Sequence, residues 1–151
     1  MGLMSGRISV RAQSPDGYRA LAGLTRAGHP DHALAELVKL RASRLNNCRY
    51  CIDMHTEAAR TAGLGDEAIA ATADWQASDL FDGRQRAALA LTDLLTGTGS
   101  LSHAEDASAA PVWDAAAAAF PGDELTQLVF TIAGINTWNR MMIAEAVATD
   151  D

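Results

Sequence analysis

Apolar residues spaced three and four positions apart recur in segment after segment of this chain, and this spacing constrains its fold more than any other feature. The clearest case is segment 32–45. Its apolar side consists of Leu34, Leu37, Val38 and Leu45, and is widened by Ala33 and Leu40. Such a stripe covers one face of an α-helix with 3.6 residues per turn. The pattern therefore predicts helices that bury one face each.

Turn-forming residues separate these segments. Ser14, Pro15 and Asp16 indicate a first helix that ends at the GHP sequence, and either Asn46 or Asn47 can cap the helix that follows them. The further helices are predicted over 48–62, 66–78, 84–96, 109–119 and 123–147. Residues that favour strands are scarce, and no hairpin pattern interrupts the series. We therefore predict an all-α chain, with residues 1–151 forming one helical-bundle domain of about six to seven helices.

The charge of the chain limits its partners. The formal net charge is −7, 48% of the residues are apolar and 21% are charged, which suits a soluble globular protein but not one that binds phosphate backbones or anionic membranes. The N-terminal sequence lacks the apolar core of a secretory signal, and no apolar run approaches the roughly 20 residues that span a bilayer. We predict a cytoplasmic protein with no nucleic-acid or membrane partner.

The two cysteines of the chain, Cys48 and Cys51, lie three positions apart at the start of a predicted helix, and His55 follows one turn later. All three share one face with Ile52 and Ala59, so we expect this face to point inward and the thiols to be only partly exposed. Unpaired N–H groups in a first turn favour a thiolate. A cytoplasmic CxxC pair is more typical of catalysis or metal binding than of a structural bridge.

Glu36 is the predicted partner of His55. If the helices on either side of Asn46 and Asn47 form an antiparallel hairpin, the two side chains face each other. Glu36 lies on a largely apolar stretch of the helix. Burying a carboxylate there costs folding free energy unless the carboxylate is paired. The expected arrangement is a relay from Glu36 through His55 to Cys51, in which the imidazole takes the thiol proton or stabilises the thiolate.

Simpler interpretations of these residues compete with the relay. A buried cysteine is more often an inert small hydrophobe, and a lone histidine on an apolar face is more often a satisfied core residue. Zinc bound by both thiolates, His55 and Glu36 is a rival, although adjacent turns of one helix suit tetrahedral geometry poorly. Three other histidines, in turn-like contexts, are expected to be exposed and idle: His29, His32 and His103. Trp138 and Arg140 could help to line a pocket.

Glu36, the CRYC sequence at 48–51 and His55 together resemble the core motif of the AhpD-like alkylhydroperoxidases, within the carboxymuconolactone decarboxylase superfamily. The segments LFDGRQRAALALTDLLT and FTIAGINTWNRMMIAEA are also similar to the downstream helices of that family. The resemblance implies an AhpD-like helical bundle that assembles as trimers or hexamers with the site near a subunit interface. Tyr50 stands where the founding enzyme has a second histidine.

The resemblance also implies thiol-dependent reduction of peroxides. It makes Cys51 the peroxidatic cysteine and Cys48 the resolving one, with Glu36 and His55 relaying the proton; Tyr50 could donate a hydrogen bond to the departing oxygen. No bound cofactor is expected. The partners implied are a hydroperoxide substrate and an external dithiol reductant of the lipoyl or thioredoxin-like type. The alternative is a non-catalytic redox sensor or assembly protein, and a lactone decarboxylase is disfavoured because that chemistry does not need the cysteines.

Overall fold

Helices account for nearly all of the secondary structure in the computed structural model, which describes residues 7–97 and 108–145, and no strand occurs in these ranges. The elements are α1 (Val10–Gln13), α2 (Pro15–Arg26), α3 (His32–Leu45), α4 (Arg49–Thr61), α5 (Asp66–Ala71), a 3-10 helix (Thr72–Ala77), α6 (Gly83–Thr96), α7 (Ala110–Ala119) and α8 (Glu124–Glu145). The all-α prediction is confirmed. The short α1 was not predicted, and the segment predicted as one helix over 66–78 divides into α5 and the 3-10 helix.

Helix α3 lies at the centre and packs against α4, α6, α8 and the 3-10 helix. Its apolar stripe is buried as predicted at Leu34, Leu37, Val38 and Leu40. Leu45, the last residue of α3, is the exception, with 43% of its surface exposed. The helix begins at a regular cap, where the Asp31 side chain accepts a hydrogen bond from the backbone N–H of Leu34 at 3.1 Å.

The largest core cluster joins α3 to α6, α7 and α8. Its buried members are Leu34, Val38, Ala87, Ala88, Leu91, Ala116, Phe120, Leu128 and Ile132. Helix α2 differs from these elements because none of its residues is fully buried, and it packs chiefly along α8. No helix in the described part of the chain is both long and apolar enough to traverse a lipid bilayer.

Three residues form the turn between α3 and α4. Asn46 ends α3, and Asn47 adopts the left-handed conformation with φ of 53°, which asparagine tolerates better than most residues. Cys48 then takes the N-cap position of α4 with an extended backbone. The prediction that an asparagine caps α4 is therefore wrong, because Asn47 is used to reverse the chain and the helix begins one residue later.

Candidate active site

The inward face of α4 carries the two residues that matter most for chemistry. Cys51, His55 and Ala59 are buried on that face, at intervals of four residues. The outward face meets solvent through Arg49, Asp53, Glu57 and Arg60. The assignment of the two faces from the sequence is confirmed.

Cys48 and Cys51 form a disulfide, with their Cα atoms 5.2 Å apart. This separation lies within the ordinary range for disulfides, so the start of α4 holds the two cysteines close enough to bond. The two residues are only 2% and 1% exposed. The expectation of partly exposed thiols is wrong, because the first turn of α4 is covered by the packing of the bundle.

His55 contacts Glu36 across the hairpin of α3 and α4. The distance from His55 Nδ1 to Glu36 Oε2 is 2.7 Å, and both side chains are nearly buried. An ionised carboxylate only accepts hydrogen bonds, so Nδ1 must carry the proton and donate it to Glu36. In the neutral imidazole, Nε2 is then the nitrogen with a free lone pair. The pair thereby prepares His55 to accept a proton at Nε2.

Glu36 has a second hydrogen-bond donor, the ammonium group of Lys39, whose Nζ lies 2.8 Å from Oε1. Burial by itself would raise the pKa of the Glu36 carboxyl. The hydrogen bonds and charges of His55 and Lys39 outweigh that effect and hold the pKa of Glu36 below its ordinary value. Each carboxylate oxygen therefore has its own donor, and the group is kept ionised.

A cavity of about 310 Å³ reaches this cluster. Cys51, His55 and Lys39 contribute to its wall, and Cys48 does not. Most of the wall is apolar, and its aromatic members are Tyr18, Tyr50, Phe130 and Trp138. The cavity thus offers an apolar space that ends at one of the two sulfur-bearing residues and at its neighbouring imidazole.

The wall opposite α4 comes from helices that are distant in sequence. On α8, Trp138 lines the cavity and donates a hydrogen bond from Nε1 to Thr25 Oγ1 on α2, at 2.9 Å. Its ring also meets that of Tyr18 edge to face, with the centroids 5.3 Å apart. Arg140 does not line the cavity; it is exposed and donates to the backbone carbonyl of Asn136.

Sequence reasoning missed several residues of this site. Lys39 follows Glu36 by three residues on α3, a spacing that could have marked it as a partner. Met54, Phe130 and Met142 also line the cavity, but no local pattern distinguishes them from ordinary apolar positions. Their place in the site depends on how α4 and α8 pack.

His29 was expected to be exposed and idle, and this expectation is wrong. The side chain is buried against Phe120, and its Nδ1 accepts a hydrogen bond from the backbone N–H of Asp31 at 3.1 Å. Its Nε2 lies 3.5 Å from a Glu124 carboxylate oxygen. His29 therefore joins the α2–α3 connection to α7 and α8. His32 is exposed as expected, and His103 falls outside the described residues.

The geometry gives no support to the zinc alternative. In residues 7–97 and 108–145, no group of three or more histidine, cysteine, aspartate or glutamate side chains is arranged to hold a metal ion. The two sulfur atoms that would bind zinc as thiolates are bonded to each other.

Comparison with solved structures supports the fold assignment. A protein of unknown function from Agrobacterium tumefaciens, provisionally assigned to antioxidant defence as AhpD, has a TM-score of 0.85 and 27% sequence identity. That match covers 96% of this chain and 98% of the other. The debrominase Bmp8, in its apo form, has a TM-score of 0.72 at 22% identity, over 91% of this chain and 73% of its own; this likeness shows the shared fold alone.

Sequence comparison places the site within a family. The uncharacterized protein YdfG of Bacillus subtilis (strain 168) is 29% identical over 144 residues, which cover 93% of this chain and 95% of YdfG. The sequence pattern of the carboxymuconolactone decarboxylase family matches residues 13–94, a range that contains Glu36, both cysteines and His55. The chain belongs to the carboxymuconolactone decarboxylase family.

Proposed function

We propose that this protein is a thiol-dependent peroxidase that reduces organic hydroperoxides through the Cys48–Cys51 dithiol. One observation carries the proposal: Cys51 and the Glu36-bound His55 line the same apolar cavity. A nucleophile, a base with a defined tautomer and a space for an apolar molecule therefore occur together. Membership of the family and the structural likeness to a protein linked with antioxidant defence agree with this assignment.

The cycle begins from the reduced dithiol. Nε2 of His55 takes the proton of the Cys51 thiol, and the thiolate attacks the terminal oxygen of the hydroperoxide. The O–O bond breaks as the S–O bond forms. The leaving alkoxide takes a proton from the His55 imidazolium and departs as an alcohol, while Cys51 becomes a sulfenic acid. Tyr50, which also lines the cavity, donates a hydrogen bond to the departing oxygen in this scheme.

The second half of the cycle restores the thiols. The Cys48 thiol attacks the Cys51 sulfur, water leaves, and the disulfide forms. An external dithiol then reduces this disulfide and becomes a disulfide itself. A lipoyl-type or thioredoxin-like donor fits this role. In our proposal the chain works in the cytoplasm as a homo-oligomer, a trimer or a hexamer, and needs no bound cofactor.

The test is steady-state consumption of cumene hydroperoxide by the purified protein with excess dihydrolipoamide. We expect many turnovers for the wild type and none for Cys51→Ser. His55→Gln should lower the rate by about 100-fold, the usual contribution of a positioned base, and Glu36→Gln should lower it less. Glu57→Gln is the matched control, because Glu57 is an exposed carboxylate on the outward face of α4, and its rate should equal that of the wild type.

Different results would favour the alternative function. A non-catalytic redox sensor or assembly protein would consume one equivalent of hydroperoxide per dithiol and then stop, whatever dithiol is supplied. Its oxidation would also change its oligomeric state or partner. If the wild type stops after one equivalent with both a lipoyl-type and a thioredoxin-type donor, the peroxidase proposal is wrong.

A further inference from the structure

Lys39 stands apart from the other cationic residues of the chain. It is the only lysine among 151 residues, and the remaining eleven of the twelve basic side chains are arginines. Its side chain is 19% exposed; among the arginines in the described ion pairs only Arg41 is less exposed, at 10%, whereas Arg19 and Arg49 are more than half exposed. A nearly buried ammonium group costs free energy unless its position serves an interaction.

The chemistry of the ammonium group explains why a lysine suits this position. Its Nζ contacts Oε1 of Glu36 and leaves Oε2 to His55. A guanidinium group tends to bind both oxygens of one carboxylate with its planar fork, and would compete with His55 for Oε2. A compact point charge on a flexible stem can neutralise the carboxylate from one side only.

We propose that Lys39 is a positioning residue that acts through Glu36 to keep the proton of His55 on Nδ1. The ammonium group stabilises the ionised carboxylate, which can only accept a hydrogen bond, so Nδ1 donates and Nε2 stays free as the base. If Glu36 were protonated, it could donate to Nδ1 instead, and the ring proton would move to Nε2. The base facing the cavity would then be lost. This inference rests on the proposed function for its purpose, but its test does not require peroxidase turnover.

The charged surroundings allow the effect to be assigned to Lys39. The groups that shift the pKa of Glu36 through hydrogen bonds or charge are Lys39 on the same helix and His55 on α4. The other titratable side chains that line the cavity are Cys51 and Tyr50 on α4 and Tyr18 on α2. Helix α8 contributes only uncharged side chains to the described lining. Among residues 7–97 and 108–145, removing the ammonium group therefore removes the one permanent positive charge that acts on Glu36.

The first measurement is the tautomer of His55, from two-bond ¹H–¹⁵N correlation spectra over a pH series. His55→Gln assigns the signals. In the wild type we expect a protonated, pyrrole-type Nδ1 and a pyridine-type Nε2. In Lys39→Met the Nδ1-protonated tautomer should make up a smaller fraction of the neutral ring than in the wild type, because the pKa of Glu36 rises and more of the carboxyl is protonated. An identical pattern at every pH in the two proteins would overturn the proposal.

The second measurement is the rate at which iodoacetamide alkylates Cys51 in a Cys48→Ser background, as a function of pH. Lys39→Met should move the acidic limb of this rate profile to higher pH. At the alkaline end, its alkylation rate should equal that of the protein that carries Cys48→Ser alone. Lys39→Arg keeps the charge, so its acidic limb should stay in place even where competition for Oε2 lowers the rate. Circular dichroism verifies that each variant is folded.

Glu36→Gln supplies the decisive control. If Lys39 acts through the charge of Glu36, then adding Lys39→Met to Glu36→Gln should leave the acidic limb where Glu36→Gln alone places it. A further shift in the double variant, or a shift in Lys39→Arg equal to that in Lys39→Met, would show that Lys39 acts by another route. Because alkylation and tautomer need no peroxide, a failed turnover assay and a failed Lys39 test remain distinguishable.

Discussion

Replacing Asp93 with alanine should lower the free energy of unfolding by about 3 kcal/mol. Asp93, on α6, accepts hydrogen bonds from Arg41 Nε at 2.6 Å and Nη2 at 3.1 Å, and from Trp75 Nε1 at 2.9 Å. Arg41 itself is buried, with 8% of its surface exposed. The substitution would leave a buried guanidinium group without its counter-charge. Removing one partner of a buried ion pair is strongly destabilising, because the remaining charge stays buried and unpaired.

The magnitude follows from the bonds lost. Hydrogen bonds to charged groups contribute roughly 1.5 to 3 kcal/mol each, so the two bonds from Arg41 set a range of about 3 to 6 kcal/mol. The lower end applies because the Asp93 side chain is 25% exposed and water can partly solvate what remains. Arg41 also keeps its hydrogen bonds from Nη1 to the backbone carbonyls of Thr72 and Ala73.

Urea unfolding followed by far-ultraviolet circular dichroism, at fixed protein concentration, measures this change. Asp53→Ala is the control, because Asp53 pairs with Arg49 at 3.9 Å on the solvent-facing side of α4 and should cost less than about 0.5 kcal/mol. A loss below about 1 kcal/mol for Asp93→Ala would refute the reasoning, because it would mean that water replaces the carboxylate around Arg41.

Three further predictions concern the site and its supports. Reducing the Cys48–Cys51 disulfide should lower the free energy of unfolding by no more than about 2 kcal/mol in the loop-entropy model, because its partners are only three positions apart. Urea unfolding with and without reductant measures this change. Gly28→Ala should destabilise the protein by about 1 to 2 kcal/mol, because the new Cβ would lie 2.7 Å from Thr131 Oγ1; an unchanged thermal midpoint would contradict this. The pKa of Glu36 is lower in the folded protein than its ordinary value of 4.5, so its ionisation stabilises the fold above that pH and this contribution is lost as pH falls through the folded pKa. The stability difference between the wild type and Glu36→Gln should therefore shrink on acidification below about pH 4.5, and a constant difference would argue against the shift.

Local patterns were enough to predict most of the helices, though not α1 or the division of 66–78, and one contact of the site. The boundaries of α3 followed from its apolar stripe and from Asp31, because caps and periodicity act over a few residues. The contact between Glu36 and His55 followed from one further step, the antiparallel hairpin, since positions equally far from a tight turn face each other. The roles assigned to Cys48, Cys51 and Tyr50 stay predictions.

Burial and the cavity could not be predicted in the same way. The burial of the disulfide depends on helices that pack over the first turn of α4. The CRYC sequence contains no signal that predicts this packing. His29 looked like a turn residue because its partners, such as Glu124 and Phe120, lie more than 90 positions away. A local reading therefore missed its burial.

The sequence by itself determined the all-α class, the inward face of α4 and the pairing of a carboxylate with the histidine, because each depends on spacing within one helix or one hairpin. Only the tertiary structure decided which sulfur-bearing residue meets a cavity and what surrounds it. Tyr18 and Trp138 come from helices that begin more than 100 residues apart, and they form one wall because α2 packs along α8. The packing of distant helices, rather than any local motif, created the space in which the chemistry of Cys51 would take place.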